Sequence, residues 1–236
     1  MEQKDTGLKK NPWISIFTIE FLFVLLLLLA LFVFIYAARM VFVVKGTTFD
    51  ENIFKALASY TTPGTTKIMN FITFLGKHTL LIPLNFLLII FFIYKKQKWF
   101  AIRIASLALS SVVLSFSLKA YFRRDRPLLP TLGDAAGYSF PSGHALIGVV
   151  FYGLFIYIIW HEVKQKWLRI FLTLFLILLI LLISFSRIYL RVHYPSDVIA
   201  GLAVGFIWLV LSLQIIHGIE KKYIARRTLN VEGLDK

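Results

Sequence analysis

Long apolar runs separated by short basic or glycine- and proline-bearing stretches dominate the chain. A bilayer core needs about 20 consecutive apolar residues per helix, and by that rule the pattern predicts about six membrane-spanning helices. The first runs near Ile14 to Ala38, the third near Trp99 to Leu118, the fourth near His144 to Ile159. The fifth runs near Leu168 to Ser184 and the sixth near Val198 to Ile216. The second ends near Tyr94 and starts either at Ile68, with a break around Gly76 to His78, or at Thr79. The first run is too long for the hydrophobic region of a cleaved signal peptide, which predicts a retained anchor. Between the first two spans, Phe49, Ile53, Phe54 and Leu57 recur at helical spacing. They fit either a short helix lying in the membrane interface or a loop with a few buried anchors. The polar tail after Ile216 is expected to fray. The expected fold is all-α, a polytopic membrane helix bundle, with residues 1–236 as one membrane-embedded domain.

Composition agrees with that pattern. Of 236 residues, 58% are hydrophobic and 16% charged, and the mean hydropathy is +0.78, too apolar for the surface of a soluble domain. The formal net charge of +14 points to anionic headgroups and the positive-inside bias. The basic residues are scattered between apolar runs and form no basic domain, which argues against nucleic acid. Cysteine is absent, which excludes disulfides, thiolate metal sites and cysteine nucleophiles. Simple basic clusters occur at Lys4, Lys9 and Lys10, at Lys95, Lys96 and Lys98, at Lys164 and Lys166, and at Lys221, Lys222, Arg226 and Arg227. They place both termini in the cytoplasm and the other connections, Lys119 to Gly143 and Arg187 to Asp197, outside.

Those two outward connections carry unusual chemistry. Lys119, Arg126 and Arg187 supply cations, arginine with a planar fork suited to phosphate oxygens and lysine as a point charge. Pro141-Ser142-Gly143-His144 opens a helix, where free N–H groups and a glycine make an anion site and Ser142 adds a hydroxyl. His193 and Asp197 are four residues apart around Pro195, at a helix start. Asp197 can thus hold one ring nitrogen of His193 and leave the other free to attack. His144, from a different connection, is placed to protonate a leaving group.

Taken singly, each of these residues has an ordinary structural explanation: an arginine at a span end anchors to headgroups, and an interfacial histidine satisfies a local hydrogen bond. Arg123, Arg124, Arg191 and Asp134 stay at that level, as do His78, His161 and His217. The joint occurrence of cations, imidazoles and a hydroxyl on one membrane edge is costly without a function.

The three stretches resemble the signature of the type 2 phosphatidic acid phosphatase family. Lys119, Arg126 and Pro127 match Lys-x6-Arg-Pro, Pro141 to His144 match Pro-Ser-Gly-His, and Ser186, Arg187, His193 and Asp197 match Ser-Arg-x5-His-x3-Asp. The motifs cover residues 119–197, and the span layout extends the likeness over most of the chain. The resemblance is to the membrane lipid-phosphatase branch. It implies a phosphohistidine on His193 oriented by Asp197, with His144 as general acid. Lys119, Arg126, Ser142, Gly143 and Arg187 would bind the phosphate, without metal or cofactor. The expected substrates are phosphatidylglycerol phosphate, phosphatidate or undecaprenyl diphosphate, and nothing in the sequence implies a protein partner. Two other functions compete. A vanadate-dependent oxidoreductase would use the same oxyanion cradle, but the long spans count against it. A non-enzymatic lipid transporter would need only the basic and apolar features, but it has no use for the set His144, His193 and Asp197.

Overall fold

A computed structural model describes residues 12–234, and side chains from Phe21 onward to Arg226, with Thr228. The basic cluster at Lys4, Lys9 and Lys10 lies outside the described residues. Among those described, the architecture is helical throughout: α1 (Pro12–Arg39), α2 (Thr48–Ala58), α3 (Pro63–Phe74), α4 (His78–Tyr94), α5 (Lys98–Phe122), α6 (Gly143–Glu162), α7 (Lys166–Tyr189) and α8 (Pro195–Leu234). One π-helical turn, Met40–Val44, extends α1. Six candidate membrane spans result.

The second apolar run is broken near Gly76. Thr62 caps α3 reciprocally with Thr65 and Pro63 sits in its first turn, while α4 starts afresh at His78. The segment around Phe49 to Leu57 is a helix, α2, and not an anchored loop. The expected frayed tail is instead helix: α8 continues past Ile216 to Leu234, because its Lys, Arg, Glu and Ala residues favour helix after hydropathy falls away.

α6 sits at the centre, packed on α5, α7 and α8, while α1 packs on α8 and α3 on α7. The α6–α8 crossing is close because α8 presents glycine there. A Cβ on Gly201 would stand 2.6 Å from the Ser142 carbonyl, and one on Gly205 2.7 Å from that of Leu146. At this crossing the Ser142 N–H donates to the Asp197 carbonyl at 3.0 Å, tying the start of α6 to the start of α8. An aromatic cluster of Phe34, Phe42, Phe122 and Phe140 fixes the segment before α6 against α1 and the end of α5. The ends of α5 and α7 and the starts of α6 and α8 therefore meet on one side of the bundle.

Candidate active site

α5 ends because Arg123 turns left-handed (φ 48°) and its N–H closes on the Lys119 carbonyl. That turn sends Arg124 and Arg126 back over the bundle. Lys119 Nζ donates to the carbonyls of Tyr138 at 2.6 Å and Ser139 at 3.3 Å. Arg126 spends its guanidinium on three carbonyls, those of Gly137 (2.9 Å), Val192 (2.5 Å) and Ala136 (2.6 Å). Burial lowers its pKa from the ordinary arginine value, with Asp197 opposing. Arg187, near the end of α7, donates to Thr73 Oγ1 at 2.8 Å and weakly to the Asp134 carbonyl at 3.4 Å. Its buried Nε has no partner, and neither does the buried Ser142 Oγ.

Lys119, Arg126, Gly143, His144, Arg187 and His193 all line one cavity of about 1260 Å³. Of the eight residues expected at the site, Ser142 and Asp197 are not on that wall. Ser142 is the buried N-cap of α6. Asp197 lies behind His193, with 0% exposure. The cavity continues away from the cations between α4, α5 and α6, past Leu81, Phe86, Val112, Phe116 and Phe151 down to Ala105 and Leu154. From Lys119 to Ala105 along α5 is about 21 Å at 1.5 Å per residue.

His193 is 2% exposed. Its Nδ1 lies 3.2 Å from Ser139 Oγ and 3.5 Å from Asp197 Oδ2. The sequence predicts an Asp197–His193 hydrogen bond; the two side chains face each other, at a separation of 3.5 Å that is long for one. Ser139, which also hydrogen-bonds Asp197 Oδ2, is the nearer partner. With Nδ1 engaged on this side, Nε2 is left toward the cavity. Burial pushes the His193 pKa down to about 4, against the pull of Asp197, so the imidazole is neutral at neutral pH.

Asp197 is the third residue of α8 and accepts the Tyr194 N–H at 2.9 Å, half of a capping box. Arg124 Nη1 holds its other oxygen, Oδ1, at 2.5 Å. Arg124 also binds Asp50 Oδ2 of α2 at 2.9 Å and stacks on Tyr194, 3.9 Å from the ring centre. Sequence reasoning missed Ser139, Arg124 and Asp50. Nothing in the sequence marked Asp50, which stands among polar residues, Thr47 and Thr48 before it and Glu51 and Asn52 after it.

Three cations and a helix start at one end of an apolar cleft, in a helical membrane bundle, have the chemistry to suit an anionic headgroup on an apolar tail. Comparison with known proteins agrees. The PAP2 superfamily profile matches residues 99–221, and the chain belongs to that superfamily as a multi-pass membrane member. It is 26% identical over 174 residues to phosphatidylglycerophosphatase B of Bacillus subtilis, covering 73% of this chain and 84% of that one. It is 33% identical over 174 residues to the undecaprenyl-diphosphatase of Sulfolobus acidocaldarius, covering 71% and 78%. In structure it is similar to the transmembrane PAP2 type phosphatidylglycerolphosphate phosphatase from Bacillus subtilis. The TM-score is 0.74 at 23% identity, over 83% of this chain and 96% of the other.

Proposed function

We propose that the protein hydrolyses the terminal phosphate of a membrane lipid (phosphatidylglycerol phosphate, phosphatidate or undecaprenyl diphosphate) through a phosphohistidine. The observation that carries this is the continuity of the cation-lined end with an apolar cleft about 21 Å deep, which leaves room for a lipid tail while its phosphate meets Lys119, Arg126 and Arg187.

The Nε2 lone pair of His193 attacks phosphorus. The bond to the leaving oxygen breaks with its electron pair, and that oxygen takes a proton from His144. The Nδ1–H stays on the ring and faces Ser139 and Asp197. Water then gives a proton to the now neutral His144 as its oxygen attacks phosphorus, the P–N bond breaks, and the lone pair returns to Nε2 with release of inorganic phosphate. The equatorial oxygens carry the charge of the transferring group. Arg187, which lines the cavity, and the free N–H groups at the start of α6 are donors left for them.

Three cations already supply the charge a metal would bring, and among the described residues no group of three or more His, Asp or Glu could hold an ion. Purified protein is therefore expected to release phosphate from the three lipids in excess chelator, with inhibition by vanadate, which mimics the trigonal-bipyramidal phosphoryl group. No release from any of them overturns the function. Activity lost to chelator and regained only with a divalent ion overturns the metal-free mechanism alone.

The site faces outward in this reading, with both termini cytoplasmic. The basic connections around Lys95 and Lys164 lie at the helix ends opposite the site and support that orientation. The chain has no cysteine, so single cysteines at Ala135 and Gln97 report sidedness without background. An impermeant thiol reagent applied to intact cells is expected to label position 135 over position 97; the reverse preference inverts the topology.

A further inference from the structure

Asp50, Arg124 and Ser196 form a closed polar cluster behind the His193 pocket, and neither of the two charged residues belongs to the matched motifs. Arg124 Nη1 reaches Asp197 Oδ1 at 2.5 Å and Ser196 Oγ at 2.8 Å, and its Nη2 reaches Asp50 Oδ2 at 2.9 Å. Asp50 in turn accepts the Ser196 N–H at 2.9 Å and its hydroxyl at 2.7 Å. Asp50 and Asp197 are 2% and 0% exposed. So two buried carboxylates share one guanidinium. Their formal sum with neutral His193 is one negative charge.

Burying charge is costly unless it is paired. A pair of Asp197 with Arg124 alone would be neutral and would satisfy that rule. Asp50 adds a second carboxylate to the cluster, so a net negative charge remains beside a buried imidazole. The reaction creates the charge that balances it. When Nε2 bonds phosphorus while Nδ1 keeps its proton, the ring becomes cationic, and the cluster with the ring then sums to zero. The other cations, Lys119, Arg126 and Arg187, line the cavity, where the phosphate they would balance sits.

We propose that Asp50 and Arg124 are positioning residues for phosphoryl transfer: Arg124 holds Asp197 in place, and Asp50 offsets the charge of Arg124 so that Asp197 retains its full effect on the phosphorylated imidazolium. The inference rests on the phosphohistidine reading above. It also gives α2 a role at the site, since Asp50 is the one buried residue of that helix.

The test uses the full-length protein in detergent with a lipid phosphate carrying labelled phosphorus. Single-turnover formation of the phosphoenzyme is followed by alkaline quench, alongside KM and thermal unfolding, each variant being assayed below its own transition. Asp50→Asn keeps the shape and removes one negative charge. It is expected to slow phosphorylation about tenfold with KM within about threefold. Arg124→Gln leaves two buried carboxylates without their cation and is expected to slow phosphorylation by more than about 10²-fold. Arg124→Lys keeps the cation and is expected to retain about a tenth of the wild-type rate or more. The decisive variant is Asp50→Asn with Arg124→Gln together, which restores the single negative charge. It is expected to form phosphoenzyme at least about tenfold faster than Arg124→Gln alone, a non-additive recovery.

If Asp50→Asn phosphorylates at the wild-type rate, or the double variant is no faster than Arg124→Gln, the inference is overturned. Asp50→Asn decides the matter even where Arg124→Gln does not fold. If the wild-type protein turns over lipid phosphate without any phosphoenzyme, the functional reading fails first, and that result is distinct from either of the others.

Discussion

Replacing His193 by alanine is expected to abolish phosphoenzyme formation and turnover on every substrate, whereas replacing His144 by alanine is expected to slow the enzyme by an amount set by the leaving group. Both imidazoles face the same cavity, but only His193 is backed by Ser139 and Asp197. That backing orients a nucleophile. A general acid matters in proportion to how badly the departing oxygen needs a proton. A lipid alkoxide needs one; a phosphate leaving from a diphosphate, or an aryl oxide, needs it much less. Loss of an acid–base group typically costs on the order of 10²–10⁴-fold. The His144 variant is therefore expected to lose most on a monophosphate ester and least on a diphosphate or aryl phosphate. Asp197→Asn is expected to act as a weaker His193 defect on all of them alike, since it removes charge from behind the ring without removing the ring. A substrate panel against the three variants, with quench trapping of labelled enzyme, separates the roles. A phosphoenzyme on the His193 variant, or equal leaving-group dependence for the two histidine variants, reverses the assignment.

The sequence made some parts of this molecule legible and left others hidden, for physical reasons. A bilayer imposes span length, so apolar runs mark the six spans within a few residues at most ends. The motif residues were legible because each set lies close in sequence at a helix end, where local spacing already fixes geometry. Asp50 and Arg124 are 74 residues apart, and no local period joins them. Arg124 alone reads as a headgroup anchor; only the packing of α2 beside the start of α8 turns it into the partner of a buried carboxylate. Ser139 reads as a loop residue, because nothing in the stretch Tyr138 to His144 says that its hydroxyl stands between a histidine and an aspartate. The end of α8 was misplaced for a different reason. Hydropathy marks where the apolar run stops, while helix propensity lets the helix continue into polar sequence.

The two motif arginines on the cavity wall look equivalent in sequence, and the structure divides their work, which leads to different expected losses. Arg126 already holds three carbonyls, joining the Ala136–Gly137 loop to Val192 next to His193. A lysine in its place has no planar fork to span them. Arg126→Lys is expected to lower the melting temperature in detergent by about 5–10 °C, from the loss of charge-assisted hydrogen bonds worth about 2–4 kcal/mol together. Arg187 is 5% exposed and makes one short hydrogen bond, to Thr73, while its Nε has no protein acceptor. Arg187 lines the cavity in which phosphate oxygens would gather and is a cationic donor there. Removing one such preorganised donor costs on the order of 10²–10³-fold. Arg187→Lys is therefore expected to weaken vanadate inhibition and to lower kcat/KM by about 10²-fold or more, with a smaller change in melting temperature than Arg126→Lys. Parallel vanadate titrations and melting curves on the two variants decide it. If both substitutions move inhibition and melting in the same proportion, the two arginines share one task and the division drawn from their hydrogen bonds is wrong.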